Sequence, residues 1–149
     1  MQQTYIFSHE TPLAHYTAQA FVLRCFDDRF FKTFKNFLKS EGLTQLDPES
    51  VAGGAKVIAS PEKAEDRDFM LRELEKSIRL HHTARVMLFT HHDCGAYGGL
   101  ARFGGDKEAE FAFHREEHRK AREIIAERFP EVTAETYFID GQGVIRTIR

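Results

Sequence analysis

Two cysteines stand in a chain of 149 residues, and each keeps unusual company. Residues 25–29 read CFDDR, so Cys25 is followed at once by Asp27, Asp28 and Arg29. Residues 91–94 read HHDC, with His91 three positions before Cys94. Thiolate and imidazole are preferred zinc ligands, and two cysteines with one histidine leave the fourth tetrahedral position open, as a catalytic zinc site requires. Taken singly, either cysteine reads as an ordinary buried thiol. Taken with His91, Asp27 and Arg29 at these spacings, the metal reading is favoured over the thiol one. Two thiols that oxidise once zinc is lost are a third reading.

Both stretches end an apolar run. QAFVLRC at 19–25 reads as a buried strand, and ARVMLFT at 84–90 is the clearest strand in the chain. Phe30, Phe34, Phe37 and Leu38 recur at helical spacing until Gly42 stops the helix. LTQL at 43–46 is a short strand candidate, and the Gly- and Pro-punctuated stretch 47–61 reads as loop with a weak strand at 56–59. Met70, Leu71, Leu74 and Ile78 mark one face of a helix over 61–80. A glycine-rich loop follows the second motif. A long charged helix runs over 107–129, with Phe111, Ala121 and Ile125 among its buried positions. Two strand-like pieces around a Gly-x-Gly turn close the chain. This order predicts an α/β protein with a mainly parallel sheet of about four to five strands flanked by helices. Ligands bind at the carboxyl ends of such strands. If the strands at 19–25 and 84–90 are parallel neighbours, their unusual ends form one site.

At these residues the chain resembles the β-class carbonic anhydrases. CFDDR fits their C-x-D-x-R motif and HHDCG their H-x-x-C-G motif; the closing YFIDGQGVIRTI is similar to their last strand and turn. The resemblance implies that Cys25, His91 and Cys94 bind Zn2+ while Asp27 and Arg29 form a charge-paired dyad beside it. It further implies reversible hydration of CO2 to bicarbonate by hydroxide generated at the zinc. Asp27 would orient that hydroxide, or occupy the fourth zinc position itself when freed from Arg29. The chain departs from the family at 51–56, where VAGGAK stands in place of a sequence like RNAGN, and in having 24 residues before Cys25. The same metal site is compatible with another heterocumulene, COS or CS2, and with a member that binds without catalysing. By analogy with the family the chain is expected to form a homodimer.

Composition narrows the rest. With 42% hydrophobic and 30% charged residues, 149 residues are expected to form one domain over 1–149. A net charge of −2 gives no reason to expect nucleic acid. No apolar run approaches the ~18 residues needed to span a bilayer. The first residues lack a signal-peptide pattern, and two cysteines make no disulfide framework, so a cytoplasmic protein is expected. His92 is by residue type a candidate proton shuttle or, equally, a solvent-facing neighbour of the site, and Asp28 and Asp93 read as structural or solvent-facing. HREEH at 114–118 matches H-x-x-E-H, but too little chain follows to supply a third ligand. Arg115, Arg119, Lys120 and Arg122, interleaved with Glu116, Glu117 and Glu123, read as a solvated face. His81 and His82 read as caps at a helix end.

Overall fold

The computed structural model describes residues 2–149. Five strands form one sheet: β1 (Ala20–Arg24), β2 (Leu46–Ser50), β3 (Arg85–His91), β4 (Thr133–Ile139) and β5 (Val144–Arg146). They lie in the order β2-β1-β3-β4-β5, the first four parallel and β5 antiparallel to β4. Helices α1 (Phe31–Ser40), α2 (Lys56–Ala59), α3 (Ala64–His81) and α4 (Lys107–Arg128) connect them. The expected α/β class with a mainly parallel sheet is what the chain adopts.

The alternation of side chains along each strand divides the core into two layers. Phe21 and Leu23 of β1, with Val86 and Leu88 of β3, face α2, α3 and α4, meeting Ile58, Met70, Leu74, Ala121 and Ile125. Ala20, Val22, Met87 and Phe89 face the other way, against Phe34 and Leu38 of α1. Both central strands are apolar on both faces because helices cover both.

Two expectations about the middle of the chain are corrected. The second strand is not LTQL at 43–46 but LDPES at 46–50. Its polarity and Pro48 concealed it, and both suit an edge strand, where an amide is not needed on the open side. Residues 56–59 form the short helix α2, not a strand. Val57 and Ile58 carry strand propensity, but burial of Ile58 and Ala59 beneath α3 and α4 overrides it. Elsewhere the expected elements stand with ends moved by a residue or more. Gly42 has a positive φ of 71° after α1, and His82, also left-handed, caps α3.

Candidate metal centre

β1 and β3 are hydrogen-bonded parallel neighbours, with Leu23 opposite Leu88. Their carboxyl ends are therefore adjacent, and the chain delivers Cys25 just past one and His91 at the end of the other. One ligand atom from each of Cys25, His91 and Cys94 lies within 4.8 Å of the other two, and all three residues are buried. A tetrahedral zinc with sulfur at ~2.3 Å and nitrogen at ~2.0 Å spaces its ligand atoms by roughly 3.5–3.8 Å. Little movement separates the cluster from that geometry.

The chemistry of the donor set fits a metal. The His91 ring places Nδ1 2.7 Å from the carbonyl oxygen of His92, so Nδ1 carries the hydrogen and donates it. That leaves Nε2 with a lone pair, buried and without a hydrogen-bond partner. A buried, unpartnered acceptor is costly in an ordinary core, and here it points into a cluster with two sulfurs. Phe30 stacks on the same ring at 4.5 Å, fixing its plane. Cys25 accepts a hydrogen bond from the Gly53 amide at 3.3 Å. The neighbouring Cys94 thiol and the Gly53 amide draw the Cys25 thiol far below its ordinary range. The adjacent Cys25 sulfur and burial push the Cys94 thiol up. A dication held between them would keep both sulfurs as thiolates.

Asp27 and Arg29 flank the cluster in a short 3-10 turn, Asp28–Phe30, which the Asp27 side chain caps. Arg29 donates to both Asp27 carboxylate oxygens through Nε at 3.1 Å and to Oδ2 through Nη2 at 2.7 Å; its amide reaches Oδ1 at 2.9 Å. These bonds lower the Asp27 pKa to about 2. Asp27 Oδ2 lies 3.8 Å from His91 Nε2, beside the place where the three ligand atoms converge. The residues singled out in the sequence therefore occupy one site.

Arg29 also joins the two motifs. Its Nη1 reaches Asp93 Oδ2 at 3.2 Å and its Nη2 the Asp93 carbonyl at 3.0 Å. Asp93 has a left-handed φ of 55°, and its Oδ1 accepts the Leu100 amide at 2.8 Å. Asp93 thus shapes the turn from His91 to Cys94, while Asp28 is exposed. His92 is half-buried, with Nδ1 2.6 Å from Glu110 Oε1.

The face of α4 read as solvated needs correction. Arg119 does pair with Glu116 and Glu123 in solvent, but Glu117 is 1% exposed. It is held by Ser60, Tyr97 and Lys120. Its helix neighbours Glu110, His114 and His118 are buried as well. The H-x-x-E-H match makes no metal site, since both ring nitrogens of His118 are taken by Thr90 and Thr147. His81 sits at the end of α3 and pairs with Asp47. Sequence reasoning missed Glu110, Gly53 and the Arg29–Asp93 link, since none carries a spacing signal.

Residues 16–149 match the sequence model of a family described as "Putative carbonic anhydrase". An uncharacterized protein of Rickettsia bellii is 28% identical over 134 residues, covering 88% of this chain and 82% of its own. Among solved structures, β-carbonic anhydrase isoform I of Trichomonas vaginalis superposes with a TM-score of 0.64 at 13% identity, over 95% of this chain and 88% of its own. The carbonic anhydrase of Streptococcus mutans gives 0.62 at 16% identity, with the same coverages. A carbon disulfide hydrolase gives 0.58 at 15% identity, over 91% and 81%. At such identities these structures speak for the fold, and the sequence model speaks for descent. No helix among the described residues is long and apolar enough to cross a membrane. With its parallel sheet and a Cys-His-Cys cluster able to hold a metal, this chain belongs to the carbonic anhydrase family as a divergent member with the β-class fold.

Proposed function

We propose that the protein catalyses the reversible hydration of CO2 to bicarbonate, with Cys25, His91 and Cys94 holding a zinc ion and Asp27 and Arg29 serving the reaction beside it. The observation that carries this reading is the unpartnered, buried His91 Nε2 facing two sulfurs, with an ionised Asp27 oxygen 3.8 Å away. When bound, zinc supplies a Lewis acid that makes water a nucleophile near neutral pH. The protein's own groups do the rest. The His92 carbonyl fixes the His91 tautomer so that Nε2 can ligate. The Gly53 amide stabilises negative charge on the Cys25 sulfur. Asp27, kept anionic by Arg29, can only accept a hydrogen bond. It thereby takes the proton-bearing side of the nucleophile and leaves a lone pair for the carbon of CO2. Arg29 holds that carboxylate in place through a bidentate contact.

A carbon disulfide hydrolase shares this fold, so CS2 and COS belong in the same assay as rival substrates. The family resemblance also supports a homodimer, the length a single domain over 1–149, and the lack of a disulfide framework a reducing cytoplasm in which both thiols stay available to the metal.

Two measurements test the reading. Zinc content of purified protein is expected to approach one ion per chain and to collapse in Cys94→Ser. Stopped-flow CO2 hydration by zinc-replete protein is expected well above the buffer rate. Zinc-replete protein no faster than buffer would reduce the protein to a metal binder, and turnover of CS2 or COS alone would reassign the substrate.

A further inference from the structure

Glu110 lies in the first turn of α4, sixteen residues after Cys94, and is 1% exposed. Burying a carboxyl group is expensive unless its oxygens are satisfied, and both are used on one target. Oε1 accepts from His92 Nδ1 at 2.6 Å and Oε2 accepts from the Asp93 amide at 2.8 Å. His92 and Asp93 are the two residues between the expected ligands His91 and Cys94. We infer that Glu110 is a positioning residue for the metal site, clamping the His92–Asp93 turn so that His91 Nε2 and the Cys94 sulfur converge.

The inference rests on the metal reading above and deepens it. The turn needs a clamp because Asp93 has a left-handed backbone, which a non-glycine residue holds only under constraint. The carbonyl that fixes the His91 tautomer belongs to His92. The His92 amide is itself tied to Ile139 at 2.8 Å. Glu110 therefore completes the restraint on the peptide that orients one ligand and precedes the other. The base of the clamp is rigid. Asp106 caps α4 by accepting from the amides of Glu108 and Ala109, and its carbonyl receives the Glu110 amide. A carboxyl group is the right chemistry, because two N–H donors converge on it. The amide of glutamine has one acceptor oxygen, and its NH2 would face a second donor.

The test measures zinc affinity by competition with a chromophoric chelator, on the full chain, for wild type, Glu110→Gln and Glu110→Ala. Ser77→Ala serves as the control. Ser77 is buried and bonded to Asp47 and Thr83 at the opposite, amino-terminal end of the sheet. Its loss weakens the fold without touching the turn. Thermal melts of zinc-free protein run in parallel. Loss of an outer-shell partner typically costs 10–100-fold in metal affinity. The expected result is a loss of at least tenfold in Glu110→Gln, with Ser77→Ala at the wild-type value. Glu110→Gln is close to isosteric and remains informative if Glu110→Ala fails to fold. A smaller loss in Glu110→Gln, or an equal loss in Ser77→Ala, overturns the role of Glu110. Wild-type protein that takes up no zinc overturns the metal reading itself, which separates the two failures.

Discussion

Gly54 offers a sharp test of how the site is braced. It sits in the 51–55 turn with φ of 56°, wedged between the ends of the two site-bearing strands. A Cβ added there would lie 2.3 Å from the Phe89 carbonyl oxygen, 2.8 Å from the Cys25 amide nitrogen and 3.0 Å from the Arg24 carbonyl carbon. All three atoms are backbone, so no side chain can rotate away. Gly54→Ala should therefore incur two costs: about 1–2 kcal/mol for a left-handed alanine and about 1–3 kcal/mol for overpacking. Gly42→Ala isolates the first, since Gly42 has φ of 71° and nothing within 4 Å of its ideal Cβ. With a urea m-value of about 2 kcal/mol/M, the unfolding midpoint of Gly54→Ala should fall below that of Gly42→Ala by about 1 M. The clash is relieved only by moving the turn or the Cys25 backbone. Because the neighbouring Gly53 amide serves the Cys25 sulfur, zinc affinity should also drop at least tenfold in Gly54→Ala and stay unchanged in Gly42→Ala. Coincident midpoints for the two variants, or wild-type zinc affinity in Gly54→Ala, would refute the reasoning.

Other expectations concern charge. Burial lowers the pKa of His114 to about 4 and of His118 to about 3, while the unfolded chain takes up those protons near pH 6.5. Because the folded values are depressed, stability is full above about pH 6.5 and falls as the pH drops toward 4. Each histidine contributes about 1.4 kcal/mol per pH unit. Urea midpoints that stay level from pH 7 to pH 4 would contradict this. Asp27→Asn should keep zinc but lose at least tenfold in CO2 hydration, the order expected when one preorganised hydrogen-bonding group is removed. Loss of zinc in that variant would instead make Asp27 part of the metal's support. Two thiolates cancel the double charge of zinc, so the catalytic water should be less acidic than at a three-histidine site, where its pKa is about 7. Hydration activity is therefore expected to rise above neutral pH, and a flat profile from pH 6 to 9 would count against the ligand set.

What could be read from the sequence follows from where each residue's constraint lies. Cys25 and His91 were legible because each closes an apolar run, with Cys94 three residues beyond His91, and a run buried on both faces marks a central parallel strand. Adjacency of the two strand ends then followed from topology. β2 escaped detection because an edge strand need not be apolar, and Pro48 argued against any strand at all. On α4 the periodicity misled for another reason. Glu110, His114, Glu117 and His118 form a buried stripe, yet their polarity matches that of the exposed face. What satisfies Glu117 and His118 lies far away in sequence: Ser60 is 57 residues from Glu117, and Thr147 is 29 from His118. A hydrophobicity pattern cannot report burial that is offset by distant hydrogen bonds.

The same distinction explains how the centre is built. Parallel pairing sets β1 and β3 side by side only as far as Leu23 and Leu88, and Cys25 and Cys94 both lie beyond the paired segment. The ladder therefore aligns the ends without fixing the sulfurs. Three ties outside the ladder supply what it lacks. Gly53 reaches Cys25 from the turn after β2, Arg29 spans from the first motif to Asp93 in the second, and Glu110 grips the second motif from α4. Each tie comes from a different connection, so the metal cluster depends on two turns and a helix keeping register with one sheet. Residues able to hold a metal can be recognised by type and spacing, and so can Arg29, whereas the other two groups that aim them are a backbone amide and a lone carboxyl group with no spacing of their own. Mutations that spare every ligand should accordingly still be able to abolish zinc binding, provided they strike one of these three ties.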